Sequence, residues 1–278
     1  MISDPRVLAA DRLARAGIAS ARLDARLLWD HARDIAASAL FAHDRAATLF
    51  ESLVQRRLAR EPLAYIVGRK EFWSLDFAVG PGALIPRPDS ETLIEQLCQA
   101  FPERGIPLSI LDLGTGSGCL LVAALKEYPN ARGVGVDASA AALVWAKRNV
   151  VQHDLAKRAT LIESGWLEDA APGFDVVLCN PPYIATADIA NLAPEVNAHE
   201  PLVALDGGAD GLDSYRALAP RISRLLASQG RAFLEIGTGQ VTTVPMIFAD
   251  SQLKVVAVVP DLAGIFRCAV LVRDNRDG

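Results

Sequence analysis

Four consecutive residues, Asn180-Pro181-Pro182-Tyr183, have types and spacing that point to chemistry. They come after an apolar run, Phe174 to Cys179, that reads as a buried parallel strand. A strand ending there delivers its last side chains to the carboxyl edge of a sheet, where open α/β folds bind ligands. Neither proline has a backbone N–H, and Pro182 biases Pro181 towards an extended conformation. The segment therefore offers two acceptors, the Asn180 side-chain oxygen and the Pro181 carbonyl, with few donors competing for them. Such a pair clamps an NH2 group, and Tyr183 adds a flat aromatic surface beside it. Asn-Pro also starts ordinary turns, so the reading takes its weight from a second motif upstream.

That motif is the run from Leu108, L-S-I-L-D-L-G-T-G-S-G-C-L-L. An apolar strand ends at Asp112-Leu113, and Gly114-Thr115-Gly116-Ser117-Gly118 form a tight loop that opens a helix. Glycines there permit positive φ and close approach of a ligand above the helix N-terminus. The spacing is not that of the dinucleotide fingerprint, because Cys119 stands where its third glycine belongs. After the helix, Gly133 to Asp137 reads as a second strand ending in an acid. A carboxylate at that place can accept from both hydroxyls of a ribose, and can cap the helix Ala138 to Val151 at the same time. A third strand, Ala159 to Glu163, leads to Trp166, whose indole suits an adenine face, although packing in a core is the commoner fate of a tryptophan.

The elements that must position these residues can be read along the chain. Residues 1 to about 67 carry apolar residues at helical spacing, with Gly17 as a stop for the first helix and Asp44 as N-cap of the third. No titratable grouping is evident there, so this part reads as a helical recognition module spanning 1–72. Gly68 to Val79 alternates aromatic and polar residues as a hairpin does, and Pro81, Pro86 and Pro88 stiffen the chain beyond it, giving a connection over 73–88. Asp89 reads as the N-cap of a helix Ser90 to Ala100. Residues 89–278 then alternate strands and helices. Within them Ile184 to Leu212 lacks regular pattern, carries Glu195 and Glu200, and reads as a binding loop or lid. A helix Ser214 to Ala227, a strand Arg231 to Ile236 and a closing pair Val255 to Val259 and Ile265 to Val272 complete the domain.

Composition narrows the function. Half the chain is hydrophobic, at 51%, so 278 residues can bury a sizeable core. No apolar run approaches the length needed to cross a bilayer, and the start lacks a signal-peptide core. Cys98, Cys119, Cys179 and Cys268 are scattered without metal-ligand spacing, which points to a reducing cytoplasm and to no metal site. A net charge of −5 argues against duplex DNA as the main partner.

Together D-L-G-T-G-S-G, V-D, G-W and N-P-P-Y resemble a class I methyltransferase using S-adenosyl-L-methionine. More closely, the sequence resembles the release-factor glutamine methyltransferase family. The residues carrying the likeness are Pro62-Leu63-Ala64-Tyr65 with Gly68, Glu71-Phe72-Trp73, Leu84-Ile85-Pro86-Arg87-Pro88-Asp89, Asn180 to Tyr183, and Glu200-Pro201 through Asp206 to Leu212. The resemblance implies an α/β, Rossmann-like domain with a mostly parallel seven-stranded sheet behind a small N-terminal helical domain. It implies methylation of the side-chain amide nitrogen of the glutamine in the Gly-Gly-Gln motif of peptide chain release factors. Gly114, Thr115, Gly116, Ser117, Gly118, Asp137, Trp166 and Asn180 would hold the cofactor. Asn180, Pro181, Pro182 and Tyr183 would hold the substrate, and Asn180, Pro181 and Tyr183 would act in the chemical step. No membrane or direct nucleic-acid partner is expected. A ribosomal-protein glutamine methyltransferase, a DNA amino-methyltransferase and a non-catalytic cofactor-binding protein are the competing readings. The chain departs from the family in one place: Ile265-Phe266 stand before Arg267 where the family carries a polar pair.

Overall fold

The computed structural model describes residues 4–37, 42–165 and 172–274. They divide into two compact units, Met1–Arg69 with Ala193–His199, and Lys70–Leu192 with Glu200–Gly278. Among the described residues no helix is long and apolar enough to cross a membrane.

The first unit packs α1 (Pro5–Arg15), α2 (Ala21–Ala36), α3 (Ala42–Leu58) and α4 (Leu63–Val67). On α2 the buried residues Ala21, Ala25, Leu28, Trp29, Ala32 and Ala36 recur at the helical period, which turns one stripe to the core. Trp29 meets Phe50 of α3 edge to face, with centroids 5.2 Å apart. Gly17, at φ 77°, ends the first helical segment as its position predicts. Asp44 lies inside the first turn of α3 and is not its cap, because the helix begins two residues earlier. The unit also holds a titratable grouping that the sequence does not suggest. Arg57 Nε donates to Asp24 at 2.7 Å with both side chains buried, and Arg57 and Arg60 both reach Glu195 Oε1, at 3.0 and 3.1 Å. Removing one partner from such a group leaves a buried charge uncompensated.

The second unit opens at Lys70, within the hairpin of β1 (Arg69–Phe72) and β2 (Leu75–Ala78). Its two-residue turn, Trp73-Ser74, has positive φ at both positions without a glycine. Carboxylates hold this strained turn: Glu91 accepts from the Trp73 N–H and Glu71 from the Ser74 N–H, at 2.8 and 2.6 Å. Next come α5 (Glu91–Ala100), β3 (Ser109–Leu113), α6 (Cys119–Glu127), β4 (Arg132–Asp137), α7 (Ala140–Gln152), β5 (Ala159–Glu163) and β6 (Phe174–Cys179). The chain ends with α8 (Pro194–His199), α9 (Asp213–Leu225), β7 (Leu226–Glu235), α10 (Thr243–Ala249), β8 (Leu253–Pro260) and β9 (Phe266–Arg273).

The sheet order is β5-β4-β3-β6-β7-β9-β8, parallel throughout except where β9 runs antiparallel to β7 and β8. Helices cover both faces, so the central strands are apolar almost residue by residue: Ile110 to Leu113 and Val176 to Cys179 are buried without alternation. The chain moves outward from β3 through β4 to β5, then returns to lay β6 on the other side of β3. That reversal opens a crevice at the carboxyl ends of β3 and β6.

The segment 184–212 is more structured than its composition suggests. It carries α8 and two short 3₁₀ turns, and Ile184 bridges to Asp206. Its acids are ties. Glu195 holds Arg57 and Arg60 in the first unit, while Glu200 accepts from the Ile85 N–H at 3.1 Å and from Arg87 at 2.6 Å.

Candidate functional site

Strand register decides which residues meet. Leu113 pairs with Cys179 and with Val136, and Cys179 pairs with Leu234. The next residues along these strands, Gly114, Asn180, Asp137 and Glu235, therefore stand level along one carboxyl edge. Three belong to the sequence motifs. Glu235 does not, although an acid ending the apolar strand A-F-L-E is the same signal that marks Asp137.

On one side of the crevice the site is made of backbone. Gly114, Gly116 and Gly118 have φ of 72°, 56° and 81°. The Gly114 and Thr115 N–H groups donate to the Val136 carbonyl, each at 2.8 Å, which pins the loop over β4. Asp137 accepts the Gly116 N–H on one oxygen and the Ser139 N–H on the other, both at 2.8 Å. Each carboxylate oxygen keeps a free lone pair for a further donor. The cap of α7 is Ser139, whose hydroxyl accepts from the Ala142 N–H, and not Asp137. Thr115 and Ser117 are buried beneath the loop. Thr115 donates to Asp112 at 2.6 Å, so these two side chains shape the loop from below. Burial pushes the Asp112 carboxyl up to about 7, against the opposing bonds from Thr115 and the Leu121 N–H. Asn149, unmarked in the sequence, ties the loop to the hairpin by donating to the Ser117 and Ala78 carbonyls.

The opposite side is made of side chains. Asn180 Nδ2 donates to Ser90 Oγ at 3.0 Å. Ser90 donates to Glu235 Oε2, and the Tyr183 hydroxyl donates to Glu235 Oε1 at 3.0 Å. Burial raises the Glu235 carboxyl above its ordinary range, while the two hydroxyls and the Arg267 charge pull it back. Among the described residues no donor meets Asn180 Oδ1 or the Pro181 carbonyl. The sequence predicts that Ser90 opens a helix behind an Asp89 cap. Instead it closes a 3₁₀ turn, Pro88–Ser90, with its side chain buried, and Asp89 faces Arg267 at 3.5 Å. Tyr183 is no free platform, because its hydroxyl is tethered and its ring packs against the core cluster around Leu113 and Leu234.

Between the two sides lies a cavity of about 360 Å³ lined by Leu84, Gly114, Gly116, Asp137, Asn180, Pro182 and Val203, among others. Thr115, Ser117, Gly118, Pro181 and Tyr183 do not line it, and Trp166 falls outside the described residues. A Cβ built on Gly116 would meet only the Gly114 carbonyl, at 3.9 Å, so the loop turns bare backbone to open space. The cradle and the two-sided carboxylate of Asp137 fit a nucleoside. Among the described residues no group of three His, Cys, Asp or Glu is arranged to hold a metal.

The strand order, the glycine loop and the acid ending β4 define a class I methyltransferase domain, and a solved methyltransferase from Pyrococcus furiosus shares the fold. Its TM-score is 0.53 at 17% identity, covering 79% of this chain and 96% of that one. The model of the methyltransferase small domain matches residues 88–199, and that of the PrmC N-terminal domain matches residues 6–68. A release factor glutamine methyltransferase from Caulobacter vibrioides is 42% identical over 92% of this chain and 90% of its own. Another, from Geobacter sulfurreducens, is 41% identical over 85% of this chain and 84% of its own. The chain belongs to the release factor glutamine methyltransferase family.

Proposed function

We propose that this protein methylates the side-chain amide nitrogen of the glutamine in the Gly-Gly-Gln motif of peptide chain release factors, using S-adenosylmethionine. The observation that carries this reading is the Asn180 amide on the cavity wall, whose NH2 is held on Ser90 while its oxygen has no partner among the described residues. Together with the carbonyl of the next residue, Pro181, that oxygen would match the two hydrogens of a primary amide.

Glutamine nitrogen is a poor nucleophile because its lone pair is delocalised into its carbonyl. Bound S-adenosylmethionine supplies a methyl group already activated by a sulfonium. The protein's part is to hold and aim the nitrogen. With both hydrogens on Asn180 Oδ1 and the Pro181 carbonyl, the lone pair is turned out of the acceptor plane towards the cavity. The same acceptors would stabilise the positive charge that grows on nitrogen as the N–C bond forms and the sulfonium C–S bond breaks to a thioether, and one amide proton then passes to water. The Gly114 to Gly118 backbone and Asp137 would hold the nucleoside, with Thr115 and Ser117 supporting the loop. We also propose Trp166 as a cofactor contact, on the sequence resemblance alone.

The first unit, without residues on the described cavity, is assigned to recognition of the protein substrate. We place the enzyme in the cytoplasm with that substrate. Labelled S-adenosylmethionine incubated separately with a release factor, a ribosomal protein and duplex DNA tests the reading. Label is expected on the release factor, at the glutamine of its Gly-Gly-Gln motif. Label confined to the ribosomal protein or the DNA would overturn it.

A further inference from the structure

The buried carboxylate of Glu235 takes no direct part in the clamp or the cofactor cradle, nor does Ser90, and neither lines the described cavity. Glu235 is 1% exposed and Ser90 2%. A carboxylate confined this way normally faces a cation. The nearby Arg267 is engaged by Asp89 at 3.5 Å and Asp261 at 3.4 Å, and Glu235 is satisfied by two hydroxyls.

That choice of partners has a direction. With Glu235 ionised its two oxygens only accept, so Ser90 and Tyr183 each spend their one hydrogen on it, the direction both bonds take in the structure. Ser90 then has nothing left to give and can only accept from Asn180. The Asn180 amide is thereby forced to turn its NH2 to Ser90 and its oxygen away. The reversed amide would set Oδ1 against a serine oxygen with no hydrogen between them.

We infer that Ser90 and Glu235 are positioning residues that fix which end of the Asn180 amide faces the reacting nitrogen. The inference rests on the proposed use of Asn180 as an acceptor. Without the chain of donors, Asn180 presents oxygen in some molecules and NH2 in others, and an NH2 there repels the hydrogens of the substrate amide. Tyr183, on the second oxygen of Glu235, holds the end of the same four-residue segment, so one carboxylate sets both the polarity and the placement of the clamp. The three hydrogen bonds of this network join residues 52 to 145 positions apart in the chain; strand register sets Asn180 level with Glu235, and the turn Pro88–Ser90 brings Ser90 to both.

The test is a double-mutant cycle read by single-turnover methylation at saturating S-adenosylmethionine. Ser90→Ala should slow the chemical step by roughly 10- to 100-fold, the scale of a misplaced reacting group, with cofactor affinity unchanged. On an Asn180→Ala background the same change should cost less than about twofold, because the group it orients is gone. Glu235→Gln, which keeps the shape but lets Ser90 accept and Asn180 reverse, should also lose rate without losing cofactor affinity, and guards against a Ser90 variant that fails to fold. A second readout needs no turnover. The Asn180 side-chain NH2 protons, identified by their loss in Asn180→Ala, should exchange slowly with solvent in the wild type and quickly in Ser90→Ala. Wild-type rate in Ser90→Ala, an undiminished loss on the Asn180→Ala background, or unchanged NH2 exchange would each overturn the inference. Failure of the wild type to methylate a release factor would instead overturn the functional reading, and the exchange measurement would still decide the orientation.

Discussion

On the side of the crevice that we propose holds the cofactor, the groups are close in the chain, five residues of loop and an acid at the end of the next strand. On the proposed acceptor side they are Ser90, Asn180, Tyr183 and Glu235, joined by long-range hydrogen bonds. On our proposal the first side works through bare backbone at positive φ and the Asp137 carboxylate, so side-chain identity matters there at the glycines and at Asp137. The second works through the polarity of side-chain hydrogen bonds, where one atom of difference reverses the site. The contrast implies different failures: damage to the loop should cost affinity for the cofactor, and damage to the network should cost rate.

The largest effect on the loop side is expected from Gly116→Val. Gly116 sits at φ 56°, a conformation closed to a β-branched residue, and its backbone faces the cavity. Calorimetric titration should find no cofactor binding. Asp137→Ala comes next. It removes the acceptor for the Gly116 and Ser139 N–H groups together with the proposed ribose contacts. Bonds to a charged group put the loss on the order of 1–3 kcal/mol, or roughly 5- to 150-fold in Kd. Wild-type affinity in either variant would erase the distinction between the two sides.

The smallest effect concerns the floor of the loop. Asp112 is fully buried with one oxygen unpartnered among the described residues, and burial lifts its carboxyl from 3.8 to about 7. The folded protein therefore holds this proton over a range where the unfolded chain has released it. The resulting stabilisation is complete below 3.8 and is lost as pH rises through about 7. Asp112→Asn cannot titrate. The difference in Tm between Asp112→Asn and wild type should therefore grow in the variant's favour as pH rises across that window. A difference that stays flat would mean that Asp112 is ionised throughout.

The same contrast explains what the sequence discloses. The glycine loop, Asp137 and Asn180-Pro181-Pro182 are local patterns, and each ends a strand whose apolar run announces it. The seven-stranded sheet follows from the alternation of strands and helices together with the family likeness. Ser90 is hidden because its spacing fits a helix start equally well, and only the fold shows its side chain turned towards β7. Glu235 carries a legible signal: a charge closing the apolar run Ala232 to Leu234, level with Asn180. Tyr183 is legible as a motif residue but not as a tether, since its partner lies 52 residues on. In the first unit the Asp24–Arg57–Glu195 grouping escapes a sequence reading for the same reason, its members being 33 and 138 residues apart.

Asn180 decides the matter, since the proposed chemistry requires it to serve the transfer step and not the retention of the cofactor. Asn180→Ala at saturating S-adenosylmethionine, mixed with excess release factor and followed over a single turnover, tests this directly. By analogy with the loss of one oxyanion-hole donor, the rate should fall by about 10²–10³-fold, while cofactor affinity falls by no more than about tenfold. A single-turnover rate equal to the wild type would show that Asn180 only ends a strand, and that the two acceptors do not hold the substrate amide.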